Sequence, residues 1–406
     1  MTSAKKPLGN IKVLDLTHML SGPYGGMILA DLGCDVIKIE PPIKGEGTRR
    51  LLENDPNYSV NGMGAYFYTL NRNKKSVAID LKKDEGLKIF YKLVEKADVV
   101  LSNFSAGVTK KLKIDFDTLQ KINPKIITCT VSGFGESGPN FQRPAFDQIA
   151  QALGGGMSIT GLSAQEPMRA GIPIGDLGGG MFAVMGIQAA LIDRVSSGIG
   201  QNVDISMLDC QISMLNYMAT MQTMSGIIPE PIGNSHFVHM PYNSFLTKDY
   251  PIVIAAVGDQ FWPRLLKIFT NPELQDPIYE TAFERQKDKQ KLESIIQKEL
   301  LKENSDYWLH ELEKESVPCA RVNNLEQAIH DEQAQHRNML VDVPHPDGGS
   351  AKIPGNPIKL SSVKNEEFLA PPLLGEHTKD ILENWLGFSI EELIKLDKQQ
   401  VIEIKK

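Results

Sequence analysis

Asp176 stands in the run Pro173-Ile-Gly-Asp-Leu-Gly-Gly-Gly180. Two readings of that carboxylate are compatible. It caps the apolar helix that follows, its oxygens accepting backbone amides. Or it attacks an activated acyl carbon, the glycines letting a bulky ligand approach the backbone. The two combine, because amides at a helix start also stabilise an oxyanion.

Other patterns carry less chemistry. Gly133-Phe-Gly135-Glu-Ser-Gly138 follows a strand and matches the glycine spacing of dinucleotide-binding turns. That chemistry needs a helix opening on the glycines. Pro139 and Pro144 follow without a helical period, so this is a glycine-rich loop. Gly22, Gly25 and Gly26, with Glu40 at the end of the second strand, have the wrong spacing for a dinucleotide and are read as packing glycines, with Pro23 in the first helical turn. His236 and His239 have no cysteine or acid nearby to complete a metal set, and no metal is expected. A serine nucleophile elbow and a phosphate-binding P-loop are both missing. Two basic clusters, Arg49-Arg50 and Arg72-Asn73-Lys74-Lys75, suit either a phosphorylated ligand or an exposed loop.

The elements that must hold these residues alternate. Ile11–Leu16, Val36–Glu40, Ser76–Leu81, Asp98–Ser102 and Ile126–Ser132 read as strands. Helical periods run from Ser21 to near Gly33, over Asp84–Ala97 and over Phe116–Ile122. Such alternation argues for βαβ units around a parallel sheet. Residues 177–192 are apolar on nearly every face, as in a helix buried inside a domain. Methionines 207, 214, 218, 221 and 224 form a stripe read as adaptable core or interface packing. A turn-rich break at 229–241 precedes a strand over Pro251–Val257 and amphipathic helices, one with Leu292, Ile295, Ile296 and Leu300 on its apolar face. A Pro/Gly-rich passage over His345–Pro357 leads into a polar, helical C-terminal segment.

Composition bounds the whole. The 406 residues carry 43 Lys plus Arg against 50 Asp plus Glu, a net charge of −7 that argues against general binding to nucleic acid or an anionic membrane. Hydrophobic residues make up 41% and charged residues 23%, a globular mix. Four scattered cysteines, 34, 129, 210 and 319, read as reduced thiols. The opening residues run straight into a strand, without the apolar core of a secretory leader, and no stretch reaches the roughly 18 apolar residues of a membrane span. The expectation is a cytoplasmic protein with no membrane partner.

Taken in order, several segments resemble the class III CoA-transferases: VLDLTHMLSGPYGGMILADLGCDVIKIEPP, GEGTRR, NRNKKSVAIDLK, ADVVLSNFSAG, INPKIITCTVSGFGESGP, GIPIGDLGGGMF, SVPCARVNNLEQA and PPLLGEHT. The resemblance implies an α/β fold with a Rossmann-like large domain built on a parallel sheet, a smaller α/β domain, and an interlocked homodimer. The corresponding partition is 1–228 for the N-terminal part of the large domain with its linker, 229–330 for the small domain, and 331–406 for the return linker and the rest of the large domain.

The resemblance places the nucleophile on Asp176, with an acyl-CoA thioester as co-substrate and no tightly bound cofactor. It carries CoA contacts onto Leu20 and Ser21, Ile79, Asp80, Leu81 and Lys82, Asn103, Phe104 and Ser105, Lys111, and Pro144, Ala145, Phe146 and Asp147. His18 and Arg169 join as further contacts, and Lys111, Arg49, Lys75 and Arg143 as phosphate partners by charge. Compared with formyl-CoA transferase, the chain has Leu20 for a glutamine, Pro41 for an arginine and Phe146 for a tyrosine, which argues against formyl-CoA and oxalate. The related 2-methylacyl-CoA racemases pair the aspartate with a histidine at the place of Phe146, which cannot move a proton. Arg169-Ala-Gly-Ile-Pro and Asn234-Ser-His236 through Pro241-Tyr242 resemble the glutarate-type enzymes. The expected activity is CoA transfer between small acids, with succinyl-CoA and a short dicarboxylate as the pair. A racemase-like enzyme using another base and a CoA-binding protein without turnover are the alternatives.

Overall fold

The computed structural model describes residues 6–405. They fall into two compact units. One takes the described chain up to Met157, then Arg169–Ile227, then everything from Gln333 onward; the other is Ser158–Met168 with Ile228–Glu332.

The first unit is built on seven strands: β1 (Lys12–Asp15), β2 (Asp35–Glu40), β3 (Lys74–Ile79), β4 (Val99–Ser102), β5 (Ile127–Ser132), β6 (Asn202–Ser206) and β7 (Ile402–Glu403). Their order across the sheet is β7-β3-β2-β1-β4-β5-β6. All neighbours are parallel except β7, which runs antiparallel to β3 with Ile402 opposite Ile79. Val13 is the hub of the register, facing Val36 on one side and Val99 on the other. The order 3-2-1-4-5-6 is that of doubly wound dinucleotide folds, whose ligand crevice lies past the carboxyl ends of the strands where the order reverses. Here the reversal falls between β1 and β4.

Both faces of the sheet are covered, which is why its strands read as near-continuous apolar runs. Leu14, Ile37, Ile39 and Val77 pack with Phe90 and Leu93 of α2 (Asp84–Val94). The same cluster takes Ile381, Leu382 and Leu393 from the C-terminal helices. Val13, Val36, Leu101 and Cys129 point the other way and meet Leu29 of α1 (Ser21–Asp31). Ala183 and Ile187 of α4 (Ile174–Ser197) complete that face. Burying each of the Val, Leu, Ile and Phe side chains among these contributes about 1.5–3 kcal/mol before conformational entropy is counted. Between them lie α3 (Asp147–Leu153) and, after β6, α5 (Met207–Leu215).

The apolar helix differs from expectation. Nine of the 24 residues of α4 are buried, and Met185, Ile192 and Val195 are exposed. By length and composition alone it also matches a membrane span, contrary to the sequence reading; it is the one described helix that does. Its inner face fills the sheet core.

The second unit has a three-stranded antiparallel sheet, Cys319–Arg321, Ile252–Ala255 and Tyr242–Phe245, with Ile252 opposite both Phe245 and Arg321. Trp262, Phe269, Ile296, Leu300 and Trp308 form its core. All four predicted apolar-face residues of Lys289–Leu300 are buried in it. Residues 158–168, assigned by the sequence partition to the large domain, cluster instead with this unit. The amide of Gly233 donates to the carbonyl of Gly161 at 3.0 Å, a long-range bond with no sequence signature.

Candidate active site

Four segments of the first unit converge on the switch point. The turn after β1 carries His18 to Ser21, and the end of β4 carries Asn103 to Ser105. They are tied reciprocally: the His18 amide donates to Asn103 Oδ1 at 2.8 Å, and Asn103 Nδ2 donates to the His18 carbonyl at 2.7 Å. The His18 ring leans on Phe104 with centroids 5.1 Å apart. The glycine-rich loop after β5 and the first turn of α4 close the other side.

These segments enclose a cavity of about 530 Å³. Of the sequence-predicted residues it brings together His18, Leu20, Ser21, Asn103, Phe104, Ser105, Arg143, Pro144, Ala145, Phe146, Asp147, Arg169 and Asp176. Ile79, Asp80, Leu81, Lys82 and Lys111 are not on its wall. Ile79 is buried in the sheet core, while Lys82 and Lys111 are exposed. Lys110, not Lys111, lines an adjoining cavity that shares Phe104, Ser105, Ser132 and Phe141 with the first.

Asp176 occupies the third position of α4, and it does not cap the helix. That duty falls to Asp147, whose Oδ1 accepts from the amides of Gly175 at 2.8 Å and Asp176 at 3.3 Å. Gln151 Nε2 donates to Asp147 Oδ2 at 2.8 Å, and Gln151 Oε1 accepts from the Ala170 amide at 2.9 Å. The capping expectation for Asp176 is therefore corrected: an acid 29 residues upstream satisfies the helix amides. Asp176 itself is half-buried, and no described group donates to its carboxylate. Burial, reinforced by the Asp147 charge, pushes its pKa up to about 6. It is ionised at neutral pH yet more basic than an ordinary aspartate, a combination suited to a nucleophile.

The glycines after Asp176 face protein rather than open space. A Cβ on Gly178 would meet Met214, one on Gly179 would lie 2.6 Å from Ser21 Oγ, and one on Gly180 would lie 2.5 Å from the Ser21 carbonyl. Gly25 in turn sits against the Gly180 carbonyl. The triplet lets α1 and α4 touch backbone to backbone, which replaces the ligand-approach reading. Gly133 to Gly138 form a loop, as expected, with Gly135 and Gly138 at positive φ.

Apart from Arg50, which is exposed, the basic clusters resolve differently from either reading. Arg72 and Lys74 are buried, not exposed and not phosphate-facing: Arg72 pairs with Asp31 at 2.7 Å and Lys74 with Asp15 at 2.8 Å. Lys75 pairs with Asp35 at 2.8 Å. The Arg49 guanidinium holds Glu40 through two 2.6 Å bonds and covers the Phe67 ring, so it is committed to the fold rather than free for phosphate. Arg143 and Arg169 remain exposed on the cavity wall. Arg169 donates to the carbonyls of Ala170 and Gly171 at 3.0 and 3.1 Å.

Two features escaped sequence reasoning. Tyr66, on the short helix Ala65–Leu70, lines the cavity; burial and then the Asp176 charge raise its pKa. That helix is anchored by Tyr68, whose hydroxyl donates to the Val343 carbonyl at 2.7 Å, a contact 275 residues apart in sequence. Behind the β1 turn lies a buried charge network. Lys38 Nζ donates to the Thr17 carbonyl at 2.8 Å, and the Thr17 amide donates to Asp15 Oδ1 at 2.9 Å. Burial raises the Asp15 pKa, but Lys74 and Lys38 outweigh it and hold the carboxyl at about 2. Burial and the Lys38 charge push His18 down to about 4, so its ring is neutral at pH 7. An apolar-looking β-strand was the sequence signal here, and lysines inside it gave no warning of burial.

A doubly wound sheet with a cavity at its switch point, and a carboxylate at a helix start that no described group holds, defines the class as an α/β protein with a candidate ligand crevice. Residues 8–378 match the model of CoA-transferase family III, and the chain belongs to that family. It is 34% identical over 399 residues to a succinyl-CoA:glutarate CoA-transferase of Mus musculus, covering 98% of this chain and 91% of that protein. It is 37% identical to a succinyl-CoA:mesaconate CoA-transferase of Haloarcula hispanica, covering 93% and 96%. Among solved structures, a CAIB/BAIF family protein from Brucella suis superposes with a TM-score of 0.83 at 33% identity, covering 94% of this chain and 100% of that one.

Proposed function

We propose that the chain moves CoA between small carboxylic acids by covalent catalysis at Asp176, with succinyl-CoA as donor and a short dicarboxylate as acceptor. Family membership supports the reaction class, and the names of the glutarate and mesaconate relatives support the substrate pair. The observation that carries the mechanism is the division of labour at α4: Asp147 takes the helix amides, leaving the Asp176 carboxylate facing the cavity without a partner among the described residues.

In this mechanism an Asp176 oxygen attacks the thioester carbonyl and expels CoA thiolate, forming a mixed anhydride. The thiolate then attacks the aspartyl carbonyl, releasing the donor acid and leaving an aspartyl-CoA thioester. The acceptor carboxylate attacks that thioester, freeing thiolate again. Thiolate attack on the acceptor acyl carbon of the second anhydride regenerates Asp176 and yields the new CoA ester. The thioester energy is conserved only if water is excluded. Leu20, Ser21, Asn103 to Ser105 and Pro144 to Phe146 form the wall against which CoA lies in this account, with Arg143 and Arg169 on its exposed side.

The test is a transfer assay with succinyl-CoA and a panel of free acids, reading new CoA esters by mass spectrometry. Asp176→Ala is expected to lose at least about 1000-fold in rate, as removal of a covalent nucleophile does. Transfer by that variant at the wild-type rate contradicts the mechanism. Phe146, at the place of the racemase histidine, has no titratable atom, so no α-proton exchange of a 2-methylacyl-CoA is expected.

A further inference from the structure

Ser21 opens α1, an eleven-residue helix whose N-cap, Leu20, supplies no side-chain bond. Ser21 is only 3% exposed, yet its Oγ has no hydrogen-bond partner among the described residues. The amides of Ser21 and Gly22 likewise meet no acceptor among the described residues. Buried hydroxyls are ordinarily paired, and one left unpaired on a cavity wall is free to serve a ligand. Its position is specific. Ser21 lines the same cavity as Asp176, and its Oγ lies 2.6 Å from where a Gly179 Cβ would be. Gly179 is three residues after Asp176, on the same helix face. A Cβ vector in a helix leans toward the N-terminus, which places the Ser21 hydroxyl over the turn that carries Asp176.

We infer that Ser21 Oγ is a catalytic hydrogen-bond donor to the oxyanion formed on the aspartyl carbonyl of Asp176 during CoA exchange. This inference rests on the covalent mechanism proposed above. When thiolate attacks the aspartyl anhydride, or the acceptor carboxylate attacks the aspartyl thioester, the new bond to Cγ moves the carbonyl π pair onto oxygen. Collapse returns that pair and expels the carboxylate or the thiolate. Ser21 donates a hydrogen bond throughout and transfers no proton. The positive end of α1, with the free Ser21 and Gly22 amides, adds to the same field. Because the aspartyl carbonyl is fixed to the chain, the effect is independent of which acid is carried.

The experiment compares wild type, Ser21→Ala and Asp176→Ala with succinyl-CoA and two acceptors, one dicarboxylate and one monocarboxylate. Ser21→Ala is expected to lower kcat about 10- to 100-fold, equally for both acceptors, with the KM for succinyl-CoA within about threefold of wild type. Its Tm is expected to equal or exceed that of wild type, because a buried unpaired hydroxyl has been removed. Should the alanine variant unfold, Ser21→Cys keeps the volume, weakens the donor and carries the same kinetic expectation. A kcat within twofold of wild type overturns the inference, as does a loss confined to the KM of the dicarboxylate. If Asp176→Ala remains active, or wild type transfers nothing, the covalent mechanism fails first. Loss in Asp176→Ala with none in Ser21→Ala sinks the role of Ser21 alone.

Discussion

At the scale of the residue, the account turns on two carboxylates with different tasks. Asp147 spends its charge on the α4 amides, and that charge helps hold Asp176 near 6. In the proposed mechanism Asp176 must be ionised to attack, so kcat/KM is expected to rise with pH through an apparent pKa near 6. Asp147→Asn keeps an oxygen for the cap and removes the charge. Burial still raises the Asp176 pKa, but the like-charge contribution is gone, so the acid limb is expected to move to lower pH, by up to about one unit. A pH–rate profile checks this, and a limb that stays in place or moves up contradicts the coupling. Asp176 could be singled out as a candidate from the sequence, because a lone acid before three glycines and an apolar helix is a local pattern. Asp147 as the cap was not, since a bond spanning 28 residues leaves no local trace. Arg72 and Lys74 misled for the same reason: their acids, Asp31 and Asp15, lie 41 and 59 residues away.

At the scale of the element, the site depends on how closely α1 approaches α4. Gly25 and Gly180 put the two backbones in contact, and Ser21 sits at the crossing. Gly180→Ala would drive a methyl group to 2.5 Å from the Ser21 carbonyl, which is backbone and cannot swing away. A destabilisation of about 1–3 kcal/mol is expected, accompanied by a fall in transfer rate, because both functional helix starts move. Denaturant melts and the transfer assay measure the two effects; a variant as stable and as fast as wild type removes the close crossing from the account. Most elements around this crossing were readable. β-Branched runs marked the inner strands to within about two residues, and a 3.6 period marked α1 and α2. The two-residue strand β7 was too short to carry a period, and its pairing with β3 depends on the packing of the C-terminal helices beneath the sheet.

At the scale of the whole molecule, the sequence showed the βαβ alternation but not the order of strands, which depends on crossovers rather than on any one segment. The order found, with reversal between β1 and β4, explains why His18 to Ser21 and Asn103 to Ser105 share a wall though 85 residues separate His18 from Asn103. The net charge of −7 stays compatible with a polyanionic substrate, because Arg143 and Arg169 stand exposed on the cavity wall, whereas Arg49, Arg72 and Lys74 are paired with acids and contribute nothing to it. Met224, Ile227 and Val195 expose apolar surface on the first unit. We propose that a second copy covers such surface in a homodimer, as the family resemblance implies. Light scattering on the purified chain is expected to give twice the 44.9 kDa chain mass, and a monomer at micromolar concentration contradicts the proposal.

The covalent role of Asp176 is tested most directly by trapping. The protein is mixed with succinyl-CoA, quenched within seconds, digested and mapped by mass spectrometry. The account predicts a CoA or succinyl adduct on the peptide that carries Asp176, absent from Asp176→Ala and discharged when an acceptor acid is added. CoA transfer at full rate with no adduct on that peptide, or with the adduct on another residue, would contradict it.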